Sequence, residues 1–222
     1  MKANWAFRLS AATALAMAIA APGNSRSLTG GQTVDMDGLA ARLRPFLSHS
    51  GKGVKIYYPA ACSIVDGFEF LNFPPIALRQ EGDGRDGIRG IRKMLPPGAI
   101  IEEGPKVISI KLGEVPQSIR GARIKSLKLS SMEQYDDALA VLAIKRYVDA
   151  NYSAKIKYKL PTEDISVFPS AAMEGRHLPS ELDDMTADGA LDQVASTFRS
   201  IVFFGACEDR RLFSMTSRWG GR

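Results

Sequence analysis

Histidine and cysteine are scarce in this sequence, with two of each among its 222 residues. Neither His49 nor His177 belongs to a recognisable set of metal ligands, so no metal site is predicted. The G-x-S-x-G and S-x-x-K motifs of serine nucleophiles are absent, and no two of the many acids stand out as a glycosidase pair. A nucleophilic Cys62 with a histidine partner is an alternative, because such partners meet only in the fold. We therefore expect a non-enzymatic protein without a cofactor.

A strong excess of one charge is lacking as well. The chain has 29 lysines and arginines against 24 aspartates and glutamates, a formal net charge of +5, and the two signs are mixed along it. Nucleic-acid binders concentrate positive charge on one face, so a nucleic-acid partner is not predicted. Beyond Ala21 no apolar run is long enough to cross a bilayer, and no membrane span is predicted in the mature chain.

The amino terminus has the three parts of a secretory signal. Lys2 and Arg8 precede an apolar run from Leu9 to Ala21, and Ala18-Ile19-Ala20 supplies the small residues that signal peptidase requires. As a helix this run would rise about 20 Å, less than the ~30 Å hydrocarbon core, which favours a cleaved signal over the alternative of a retained anchor. No lipoprotein cysteine or twin arginine is present. We expect a signal peptide over residues 1–20, cleavage near Ala20, a periplasmic location and a flexible tether over 21–32.

The predicted export bears on whether the two cysteines form a disulfide. Cys62 and Cys207 are expected to lie in an oxidising compartment, which permits one disulfide between them. The alternative is a pair of buried thiols that pack as small hydrophobic groups.

Apolar periodicity predicts an alternation of short strands and amphipathic helices in the first half. Pro45 is expected to kink or divide the first helix, and residues 60–75 are expected to form a loop. The predicted elements are a strand at 33–36, a helix around Leu39, Leu43 and Leu47, strands at 54–58 and 76–78, a helix over 88–95 and a hairpin over 100–112.

The second half repeats this order. Ser130 and Glu133 have capping-box spacing and predict a helix from there to about Asn151. Strands are predicted at 124–129 and 156–160, a helix at 191–198 and a closing hairpin over 201–216. An offset of 102 carries Val54, Ile56, Tyr58 and Pro59 onto Ile156, Tyr158, Leu160 and Pro161. We therefore predict an α+β fold of two tandem modules, residues 33–113 and 122–218, joined by a linker over 114–121. Each module would pack two helices on short mixed β-sheets of its own. Coincidence among alternating apolar residues is the alternative to a divergent repeat.

Residues 33–113 resemble the secretin and TonB short N-terminal domain, the STN family of the periplasm. The resemblance rests on Leu39-x-x-x-Leu43-x-x-x-Leu47 followed by Ser50-Gly51, and on the order of strands, helix and hairpin after it. Pro45 and the long stretch from Ala60 to Pro75 depart from the family pattern. The resemblance implies a docking module that binds other envelope proteins, and it brings no catalytic residues.

Two local patterns bear on binding. Residues 82–87 spell G-x-G-x-x-G, but the short strand and the hairpin around them do not fit a dinucleotide-binding βαβ unit, so we interpret them as a turn that caps a helix. A basic outer side of the second helix is expected to be a solvated face or an interaction patch. It consists of Arg85, Arg89, Arg92 and Lys93.

From these patterns we expect a periplasmic, non-enzymatic protein–protein interaction module whose partner is a cell-envelope protein. It would bind through an open sheet edge or a helix face. The alternative is a small periplasmic enzyme or ligand-binding protein with its site between the two modules.

Overall fold

The computed structural model describes residues 32–65, 68–79, 84–152, 175–207 and 212–218. The predicted signal peptide and almost all of the tether lie outside these residues, as does the strand predicted at 156–160. The described helices are α1 (Met36–Ser50), α2 (Gly87–Met94), α3 (Gln117–Arg120), α4 (Ser131–Tyr135), α5 (Asp137–Tyr152) and α6 (Ala187–Phe198). The described strands are β1 (Gln32–Val34), β2 (Gly53–Tyr57), β3 (Ala61–Val65), β4 (Phe68–Asn72), β5 (Ile76–Leu78), β6 (Ile100–Glu103), β7 (Val107–Lys111), β8 (Arg123–Lys128), β9 (Glu181–Thr186), β10 (Ile201–Cys207) and β11 (Leu212–Arg218). No helix in this described part is long and apolar enough to cross a membrane.

A mixed five-stranded sheet forms the centre of the molecule, in the order β11-β10-β2-β7-β6. The inner strands β10, β2 and β7 are parallel, whereas β11 and β6 are antiparallel to their neighbours. Three further antiparallel pairs lie outside this sheet, namely β1–β5, β3–β4 and β8–β9. The chain is thus an α+β protein, as the sequence predicts.

Both faces of the central sheet are covered, which explains why every residue of β2 is buried. Val54 and Ile56 point into one hydrophobic cluster, which contains the apolar faces of α1 and α2. Tyr57, on the opposite face, belongs to a second cluster that contains the apolar faces of α5 and α6. The helices of each half therefore cover one face of a common sheet.

This shared sheet corrects the expectation that each half has sheets of its own. Strand β2 of the first half pairs in parallel with β10 of the second half, with Ile201 opposite Val54 and Phe204 opposite Tyr57. The physical reason is that β2 is buried on both faces, so the backbone groups at both of its edges need a neighbouring strand to bond with. The order of elements is nevertheless alike in the two halves. In the first half β1 pairs with β5, the strand before α2, and in the second half β8 pairs with β9, the strand before α6. The division into two modules remains a prediction.

Several predicted elements differ from the observed ones. Helix α1 continues through Pro45 and is not divided there. Residues 61–65 and 68–72, expected as loop, form the antiparallel pair β3–β4, and the predicted linker contains α3. The capping box of Ser130 and Glu133 is present, but the helix that it begins breaks at Asp136 before α5 starts.

A close approach at Gly53 fixes the distance between α6 and the sheet. A Cβ atom at this position would lie 2.1 Å from the backbone oxygen of Ala195. Because no side chain fits there, glycine allows the α6 backbone to lie directly on β2.

Candidate functional site

The two cysteines meet across the molecule. The sulfurs of Cys62 in β3 and Cys207 at the end of β10 lie at bonding distance, with their Cα atoms 6.1 Å apart and a sequence separation of 145. The bond that the sequence permits, one of two alternatives, therefore joins β3 to the central sheet. It leaves neither sulfur as the thiolate that a cysteine nucleophile requires.

The two histidines make local contacts in the described structure. His49 Nδ1 lies 2.6 Å from the carbonyl oxygen of Pro45, and His177 Nδ1 lies 3.1 Å from that of Leu178. The His177 ring also packs against Tyr135, with the ring centroids 5.4 Å apart. Within the described ranges, no three side chains of the types that bind metals come together.

The glycine-rich segment before α2 is described from Gly84 onward, where a short 3-10 turn leads into the helix at Gly87. Residues 82 and 83 lie outside the described part. The strand before this segment, β5, pairs antiparallel with β1. A dinucleotide-binding βαβ unit has a parallel strand at that place, so the topology here is a different one.

The basic side chains around α2 point to solvent. Arg89, Arg92 and Lys93 are exposed on the helix, and Arg85 is exposed in the 3-10 turn just before it. The buried side of the same helix carries Ile91 and Met94.

The structure assembles a charged cluster that the sequence patterns did not single out. We call Lys55, Tyr57, Arg120, Asp188 and Asp192 the junction cluster. It lies where α6 of the second half packs on β2 of the first. Lys55 Nζ is 2.6 Å from Asp192 Oδ1 and 3.1 Å from Asp188 Oδ2. The Tyr57 hydroxyl donates to Asp188, at 2.7 and 2.9 Å from its two oxygens, and the Arg120 guanidinium lies 5.0 Å from the Tyr57 ring centroid.

Burial sets the electrostatics of the junction cluster. Lys55 is 1 % exposed, so its ammonium depends on the two carboxylates for compensation. Burial raises the pKa of Asp192 above its usual range, although Lys55 opposes this shift. Burial also raises the pKa of the Tyr57 hydroxyl, and the hydrogen bond to Asp188 adds to this effect. Tyr57 therefore remains a neutral donor at physiological pH.

This arrangement joins the two halves through contacts between α6 and β2. Lys55 and Tyr57 are both almost fully buried, and the acids that bind them come from the first two turns of α6. The only sequence signal of the cluster was the spacing of Asp188 and Asp192, one helical turn apart, which does not reveal its partner strand.

A second perturbed acid lies at the start of α5. Burial raises the pKa of Asp137, and the hydrogen bond donated by Ser217 Oγ of β11 opposes the shift. In a carboxyl group with a raised folded-state pKa, ionisation costs stability. The cost appears as the pH rises through the folded-state pKa and is absent below the unfolded value of about 3.8.

We therefore expect Asp137→Asn to increase the stability of the protein at pH 7. The amide oxygen keeps an acceptor for Ser217, and the cost of burying a charge disappears. Urea unfolding at pH 7 and at pH 3 should show a difference from the native protein that vanishes at the lower pH. Asp183→Asn, at an exposed position of β9, is the control and should change stability by less than about 0.5 kcal/mol. A variant less stable than the native protein at pH 7 would contradict the prediction.

Comparison with known proteins gave no match to this chain among protein-family models, curated proteins or solved structures.

Proposed function

We propose that this protein is a non-enzymatic interaction module of the bacterial cell envelope that binds an extended acidic segment of a partner protein along β6. The observation that carries the proposal is the position of β6 at one end of the central sheet. An edge strand has backbone donors and acceptors that a second chain pairs with, and proteins use such edges for peptide recognition.

The backbone of β6 is oriented for such pairing. Its side toward β7 is occupied, and the Gly104 N–H donates to the Val107 oxygen at 2.9 Å just beyond the ladder. Bonded and non-bonded pairs alternate in an antiparallel ladder. The alternation that starts from Gly104 leaves the backbone groups of Ile101 and Glu103 directed away from β7. Among the described strands, none pairs with this side of β6.

The side chains of β6 leave the edge unusually accessible. Ile100 is 55 % exposed, which is uncommon for a large aliphatic side chain and offers an apolar contact to an incoming strand. Charged side chains on an edge strand normally prevent it from pairing with another chain. Here Glu102 binds Lys111 and Glu103 binds Lys52. Their negative charge is therefore compensated within the chain.

Positive charge on α2, the helix that precedes β6 in the chain, favours an acidic partner. Helix α2 ends six residues before β6 and presents Arg89, Arg92 and Lys93 to solvent. None of the three has an acidic partner among the described residues. Opposite charge on the bound segment would raise its association rate and fix its direction.

The resemblance to STN domains supports the same class of function, because that family docks onto envelope proteins. Placement in the periplasm rests on the predicted signal peptide, and a cysteine pair at bonding distance agrees with an oxidising compartment. The shared sheet changes one part of this hypothesis: docking would use a single rigid body in place of two independent modules.

The test is a comparison of Glu103→Pro with Glu103→Ala. Both variants lose the carboxylate, but only proline removes the outward N–H, and it does so without breaking a bond to β7. The probe is a ten-residue peptide of alternating valine and glutamate. Its binding is measured by the changes in the amide NMR shifts of the purified protein. We expect Glu103→Ala to bind like the native protein and Glu103→Pro to bind about tenfold more weakly, the value of a backbone hydrogen bond with added steric conflict.

Other outcomes would overturn the proposal. These are failure of the peptide to bind at millimolar concentration, equal loss of affinity in both variants, or shifts that lie away from β6 and α2. Thermal unfolding of both variants verifies that proline leaves the fold intact.

A further inference from the structure

A basic cleft opens at the end of the central sheet where the inner strands begin. It has a volume of about 400 Å³ and lies between the two halves of the chain. Four cationic side chains line it: Lys52 and Lys106 from the first half, and Arg176 and Arg199 from the second. We call this site the basic cleft. The strands meet there through backbone bonds, including Gly53 N–H to the Lys106 oxygen at 3.0 Å.

The positive charge of the basic cleft is poorly compensated. Lys52 Nζ lies 2.6 Å from Glu103, whereas Lys106, Arg176 and Arg199 have no acidic partner among the residues that the structure describes. Helices α1 and α6 both end at the cleft, and each C-terminus contributes roughly half a negative charge. After Glu103 and these helix ends are allowed for, about two positive charges remain.

Arg199 adopts a backbone conformation that favours glycine. Its φ is 51°, in the left-handed region, at the position that ends α6. Glycine is the usual residue there, because a side chain makes this conformation costly. The guanidinium lies against Gly51, with Cζ 3.8 Å from the place that a Cβ of Gly51 would occupy. The cost of this conformation points to a role for the Arg199 side chain in the cleft.

Hydrogen-bond donors complete the lining. Ser50 Oγ accepts from the Lys52 N–H at 3.1 Å, so its own proton is available to a ligand. Arg176 and Arg199 carry planar guanidinium groups whose paired N–H donors match the oxygens of a phosphate. A phosphate monoester carries nearly two negative charges at pH 7, which matches the uncompensated charge.

We propose that the basic cleft binds the phosphate group of an anionic ligand. Its volume also accommodates part of the molecule to which the phosphate is attached. Phosphate monoesters occur in soluble metabolites and in the headgroup of phosphatidic acid, and the cleft recognises the chemistry that they share. The inference does not depend on binding along β6, because Lys106, Arg176 and Arg199 lie outside that strand.

Arg199→Gly is the decisive variant. Glycine relieves the left-handed conformation and keeps the N–H that bonds to Ala195, so we expect a higher unfolding midpoint. We also expect affinity for inorganic phosphate, measured by calorimetry and amide NMR shifts at constant ionic strength, to fall at least tenfold. Arg92→Gln, which removes an exposed cation of α2 outside the cleft, is the control and should change the affinity by less than twofold.

The source of the phosphate is decided by a second arm with vesicles. Sedimentation with phosphatidic acid vesicles, but not with phosphatidylcholine vesicles, and its loss in Arg199→Gly would assign the cleft to a lipid headgroup. Binding of free phosphate without vesicle binding would assign it to a soluble ester. The proposal is overturned if sodium chloride at equal ionic strength reproduces the shifts, or if Arg199→Gly binds phosphate and anionic vesicles like the native protein.

Discussion

Replacement of Lys55 by methionine is expected to lower the free energy of unfolding by about 3–5 kcal/mol. Methionine fills a similar volume, but Asp188 and Asp192 lose the ammonium group that compensates them at the boundary between α6 and β2. An unpaired carboxylate that is partly desolvated costs far more than the pair contributes. Urea denaturation at pH 7 followed by circular dichroism measures the loss.

Lys111→Met provides the matched control, because it removes a lysine from the neighbouring strand of the same sheet. Its partner Glu102 is exposed, and exposed pairs contribute ~1 kcal/mol or less. The combination of Lys55→Met with Asp188→Asn and Asp192→Asn should recover much of the stability, since no charge is then left without a partner. A loss in Lys55→Met no larger than that in Lys111→Met would show that the junction cluster does not hold the two halves together.

Removal of the disulfide is expected to have the next largest effect. Cys62→Ala combined with Cys207→Ala should cost about 2–5 kcal/mol, because the bond closes a long loop and restricts the unfolded chain. Reduction of the native protein should give the same loss of stability. The double variant should be indifferent to reductant, which is the internal control. Equal stability of the native protein with and without reductant would contradict the prediction.

The sequence revealed those elements whose own periodicity was strong. Helix α6 was predicted because Leu191, Val194 and Phe198 form one apolar stripe, and all three are buried. Strand β9 was missed because Asp183 and Asp184 are poor strand formers and Asp184 has a φ of 48°. Such a strand depends on its partner β8 and has little signal of its own.

The partner of β2 could not be predicted from the sequence. Alternation of Lys55 with Val54 and Ile56 is typical of a strand with one polar face, which conceals the burial of that lysine. The carboxylates that compensate the charge of Lys55 lie more than a hundred positions away in sequence. The residue pattern of one sequence does not reveal such a pairing. The continuous apolar run of β10 was the better indication of a strand covered on both faces.

The place of β2 between β7 and β10 has a consequence for the way in which this chain acquires its structure. Ribosomes deliver residues 53–57 long before residues 201–207, so one side of β2 lacks its neighbour while most of the chain is being made. Pairings this distant in sequence give a high contact order and slow folding. A chain interrupted before Ile201 would leave one edge of β2 unpaired, and an unpaired strand edge invites aggregation.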